Sequence, residues 1–110
     1  MVWVTILYVS TGIVAFSSNI LVSYGTTKGG GITGIGNLVF IYPAFACNIL
    51  WGFTFPFLLY SFLDSVQAPM IRWSISLGGG IIHTIISAYS VFAFKEIGNI
   101  VLKLKSQKLQ

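Results

Sequence analysis

A chain of 110 residues has room for one domain, and this one carries 55% hydrophobic and 15% aromatic residues but only 7% charged ones. Soluble domains hold roughly 25% charged residues; the few here cannot coat a surface that faces water, and the composition excludes a water-soluble globule. The net charge of +4 does not point to nucleic acid either, because Lys95, Lys103, Lys105 and Lys108 follow an apolar run without interleaved aromatics and read as a membrane-surface tail.

Charge-free stretches at 1–27, 29–63 and 73–94 place three apolar blocks in an all-α integral membrane protein forming one transmembrane domain over 1–110. The first predicts a helix over 2–23, whose length at ~1.5 Å per residue matches the ~30 Å hydrocarbon core. It has no basic n-region and outruns the apolar core of a signal peptide, so it is expected to be retained as a span. Residues 24–36 then read as a loop, because the glycines at 29, 30, 31, 34 and 36 weaken helix.

The second block predicts one tilted helix over 36–63, with Pro43 and Pro56 as candidate kinks. A rival start at Pro43 would leave 32–42 as a membrane-dipping segment. Asp64 marks the exit to water and Gln67-Ala68-Pro69 the turn. A third helix is expected over 71–94. Beyond it Ile97, Ile100, Val101 and Leu104 recur at helical spacing, which makes 95–110 an interfacial helical extension lying along the membrane surface. Three spans place Lys28 and the tail lysines on one side, expected to be cytoplasmic, with the N-terminus outside. The membrane is a cytoplasmic or organellar inner membrane on this reading. Trp3, Trp73, Tyr24 and Tyr60 fall near helix ends, as interfacial anchors do.

The clearest constellation is a pair of small-residue rows at i, i+4 spacing: Ala44, Asn48, Gly52 and Pro56 on the second helix, and Ser76, Gly80, Thr84 and Ala88 on the third. Helices in lipid associate through close backbone approach and interhelical hydrogen bonds, so these rows are expected to form a helix-packing seam, with cysteines at 52 and 80 crosslinking. A foreign subunit is the alternative partner for one row. Asn19, with Ser17 and Ser18, adds a polar cluster on the first helix.

His83 lies at mid-span, where an ionisable residue is a candidate metal ligand, haem ligand or proton relay. Metal sites need three or four ligands, and the depth of the membrane offers one His, Cys47 and no carboxylate. A structural hydrogen bond to Asn48, a serine or a carbonyl is therefore expected. Cys47 has no basic neighbour to activate it and reads as an apolar filler. The two Gly-Gly-Gly runs lack the Lys-Ser/Thr of a phosphate loop. With no nucleophile, acid–base pair or metal cluster, the chain is expected to be no enzyme and to hold no cofactor.

An accessory, structural subunit of a respiratory, photosynthetic or membrane-oxygenase complex is the favoured function, its partners being the bilayer and larger polytopic subunits. Asn19, Asn48, Ser76, Thr84 and His83 spread over more faces than one hairpin seam absorbs, and so are expected to need foreign partners. Three spans, an outside N-terminus and a basic tail also resemble the layout of holin-like proteins, which implies a homo-oligomeric pore as the alternative. Small multidrug transporters are similar in length. They carry four helices and an intramembrane glutamate in the first, however, whereas the first acid here is Asp64.

Overall fold

The computed structural model describes residues 2–28 and 35–108, and over these it consists of three helices: α1 (Val2–Lys28), α2 (Ile35–Phe62) and α3 (Pro69–Lys108). Each is long and apolar enough to cross a membrane. The fold is all-α, and every helix packs on both of the others. The bundle is a rod of 63 × 22 × 21 Å.

Paired residues fix the register. Asn19 meets Ser90, Ser23 meets Phe94 and Thr27 meets Gly98, equal steps in the same direction, so α1 and α3 run parallel. Thr11 meets Thr54 and Asn19 meets Asn48, so α2 runs antiparallel to α1. The buried side of α1 follows a seven-residue pattern in which Ala15, Asn19, Val22 and Thr26 alternate by four and three, with Tyr8 and Gly12 continuing it toward the N-terminus. That spacing keeps one stripe facing its neighbours when helices cross at a shallow left-handed angle. Val22, Ala44 and Val91, one from each helix, form the apolar centre, with Phe40, Ile41 and Phe45 against it.

Three expected boundaries are corrected. α1 continues five residues beyond 23, because Ser23 and Thr27 donate hydroxyl hydrogen bonds to the Phe94 and Gly98 carbonyls of α3. Docking on α3 offsets the weak helix preference of the 24–28 stretch. α2 begins at Ile35 and runs through Pro43, so the membrane-dipping alternative is wrong over 35–42; residues 32–34 lie outside the described ones. α3 begins at Pro69, where the missing N–H costs nothing in a first turn.

The basic extension is helical, but it is α3 itself continued. Forty residues at ~1.5 Å per residue reach ~60 Å, nearly the length of the molecule. The extension therefore follows the bundle axis and does not fold across its end, because no proline interrupts the ladder and Gly98 is seated against Ser23 and Thr26 of α1.

Candidate functional site

The two small-residue rows face each other in antiparallel register. A Cβ placed on Gly52 would run into Thr84, and one placed on Gly80 would run into the ring of Pro56. Ala44, Asn48, Gly52, Pro56, Ser76 and Gly80 are buried, while Thr84 and Ala88 are half-buried. The register corrects the expected contact between 52 and 80. Gly52 lies opposite Thr84 and Gly80 opposite Pro56, one helical turn apart. Proline fits here because its flat ring fills the space that glycine leaves, and Ser76 and Thr84 return their hydroxyl protons to the carbonyls of Arg72 and Gly80.

Asn48, fully buried, is the centre of a polar knot joining all three helices. Its amide donates to Asn19 Oδ1 (2.8 Å) and to the Ala44 carbonyl (2.7 Å), and Asn19 in turn donates to Ser90 Oγ (3.0 Å). Ser90 donates to the Ser87 carbonyl, with Asn48 Oδ1 at 3.4 Å. Of the polar trio on α1 only Asn19 enters the knot. Ser18 bonds the Ala15 carbonyl and Ser17 is exposed, since consecutive residues of a helix point about 100° apart.

His83 forms a second knot toward the other end of the bundle. Nε2 shares a hydrogen bond with the Tyr8 hydroxyl (2.9 Å) and Nδ1 one with Ser87 Oγ (3.0 Å), so a neutral imidazole uses one nitrogen as donor and the other as acceptor. The ring stacks on Phe55 at 4.7 Å and meets the Trp51 edge at 4.4 Å. Trp51 reaches this place because Gly12 has no side chain, and its Nε1 is buried without a hydrogen-bond partner, as is Thr26 Oγ1. Asn48, expected as a possible partner of His83, is instead taken by Asn19.

Tyr8, Trp51, Ser87, Ser90 and Gly12 were not legible as site residues one by one. The alternation of Gly12, Ala15 and Asn19 on α1 was the available signal, and it marks the stripe without saying what it touches. Among the described residues no three His, Cys, Asp or Glu side chains come together. Cys47 is half-buried and free. Lys103, Lys105 and Lys108 are exposed on the free end of α3, and Lys95 is half-buried beside its junction with α1.

Asn19, Asn48, Ser76, Thr84 and His83 thus all find partners within the chain, against the expectation that they need foreign ones. The reason is α1. A two-helix seam leaves Asn48 and His83 on its open side, and the third helix closes that side with Asn19 and Tyr8. No known protein family, no characterised protein and no solved structure matches this chain.

Proposed function

We propose that this chain is a non-catalytic accessory subunit of a larger membrane complex, of respiratory, photosynthetic or membrane-oxygenase type, supplying packing surface and a fixed shape. The observation that carries this reading is the free end of α3. The seam register sets Ile35, the first residue of α2, level with about residue 101 of α3, so the last turns of α3 extend past the described residues of α1 and α2. Ile97, Ile100, Val101 and Leu104 are exposed as one apolar stripe that runs along α3 onto this end, beside the lysines. An apolar stripe at a membrane edge that neither α1 nor α2 covers among the described residues suits a partner subunit. The lysines favour a cytoplasmic C-terminus and hence an outside N-terminus.

The pore-forming and transporter alternatives need a polar face turned toward a lumen or substrate path. Here Asn19, Asn48 and His83 are turned inward and bonded to partners within the bundle, and the large exposed side chains of the outer faces are mostly aliphatic and aromatic. Extraction in mild detergent should bring down unrelated polytopic chains in fixed ratio, and Leu104→Glu should release them. Expressed by itself, the chain should leave vesicles sealed. Defined homo-oligomers that leak dye would overturn the subunit reading and favour the pore.

A further inference from the structure

α3 is longer than a bilayer requires. Its charge-free stretch 73–94 measures ~33 Å at ~1.5 Å per residue and fills the ~30 Å hydrocarbon core by itself. Lys95 and Glu96 mark where the helix leaves that core, since a charge deeper in hydrocarbon loses its water. From Lys95 to Lys108 the helix adds ~20 Å, whereas one headgroup layer takes only ~5–7 Å. The last turns therefore stand in water. They stand upright, because α3 is one unbroken helix and Gly98 is seated against Ser23 and Thr26 of α1.

This upright end carries a docking pattern. Ile97, Ile100, Val101 and Leu104 are exposed at positions i, i+3, i+4 and i+7, the spacing with which one helix anchors on another. In the heptad that puts Ile97 and Leu104 at a and Ile100 at d, Lys103 falls at g and Lys108 at e, so the two exposed lysines flank the stripe on opposite sides. Glu96 is the only acid in 95–108, and Lys28 closes α1 at the same end of the bundle. The stripe is thus framed by positive charge.

Charge and direction select the occupant. An anionic bilayer surface lies across the bundle axis, so it reaches the first turn of an upright stripe and leaves Leu104 uncovered. A second copy of the chain shares the same orientation in the membrane and must pair in parallel, which sets Lys103 of one copy against Lys108 of the other, five residues on, and repels. A helix with carboxylates at the matching flanks turns both of those contacts into attraction. We propose that residues 97–108 dock an acidic amphipathic helix of a partner subunit, its apolar seam on Ile97, Ile100, Val101 and Leu104 and its Asp or Glu side chains opposite Lys103 and Lys108. The proposal rests on the subunit reading above and adds what the partner must carry at this place.

The test keeps the full chain in the membranes of cells that produce it, with a benzophenone side chain in place of Gln107, which is exposed at the next d position and leaves every anchor and flanking lysine intact. Adducts formed on illumination are sequenced by mass spectrometry. The adducted segment should belong to another protein, show apolar residues at helical spacing, and carry Asp or Glu within one turn of the attachment point. Lys103→Glu with Lys108→Glu should lower the adduct yield about tenfold, as two flank contacts turn from attraction to repulsion, whereas Lys103→Arg with Lys108→Arg should keep it. Adducts to lipid, to residues 97–108 of a second copy, or to a foreign segment without acids overturn the proposal, and these outcomes are read on the unreversed chain. A yield unchanged by the double reversal overturns it too. In each of those cases foreign polytopic chains that still copurify in fixed ratio keep the subunit reading; if none copurifies and none is adducted, both fail together.

Discussion

Asn48 and His83 show how a single buried polar side chain specifies which helices meet. Asn48 sits where lipid and neighbouring apolar side chains offer no hydrogen bond, and its two amide protons reach Asn19 and the Ala44 carbonyl at once. Interhelical hydrogen bonds in membranes are individually modest, averaging about 0.6 kcal/mol and reaching about 1.7. A double-mutant cycle with Asn19→Ala and Asn48→Ala, read by steric trapping in bicelles, should give a coupling within that range; zero coupling would mean the two amides do not meet. For His83, both nitrogens serve structure. His83→Gln, which keeps one donor and one acceptor, should cost about 1 kcal/mol and leave helicity unchanged. His83→Leu should cost more, because it strands the Tyr8 hydroxyl. A metal or haem bound in stoichiometric amount, and lost in His83→Gln, would show that the imidazole is a ligand instead. At position 12 the demand is for space. A methyl group there would lie 2.8 Å from Trp51 Nε1, so Gly12→Ala must push the indole toward His83 and should lower the melting temperature in detergent.

At the scale of helices, the small-residue rows are legible from residue spacing alone. The i, i+4 interval places Ala44 to Pro56 on one face of α2 and Ser76 to Ala88 on one face of α3, because 3.6 residues make a turn. What the spacing leaves open is the register, since sliding one row by a turn keeps every small residue on the seam. The Pro56 ring against Gly80 sets it. Paired cysteines at 52 and 84 should therefore crosslink in the membrane faster than a pair at 52 and 80, and the reverse order would place α3 one turn away from the position described. Gly80→Leu should destabilise the bundle by about 1–3 kcal/mol or more, whereas Ile82→Leu, on the exposed face, should change stability by less than about 0.5. The length of α1 was hidden for a related reason. Its last turn contains Gly25 and no apolar stripe of its own, and it is helical through what α3 offers to Ser23 and Thr27.

For the whole molecule, the proposed orientation rests on the helix count and the lysines together. A reporter fused behind Gln110 should be active in the cytoplasm and one inserted at 65–68 should not; the opposite result would reverse the orientation. What the amino-acid sequence determined by itself was the solvent, the number of helices and the faces that must be small, because hydropathy and helical period are properties of a chain read one segment at a time. Only the tertiary structure decided that α1 closes the open side of the hairpin, that Asn19 rather than His83 is the partner of Asn48, and that the basic end of α3 runs on along the bundle axis. Those outcomes depend on three helices meeting at one register. Each polar side chain had several acceptable partners in the sequence, and the choice among them was made by which pairs of backbones can approach, at Gly12, Gly52 and Gly80, closely enough for side-chain hydrogen bonds to form across the bundle.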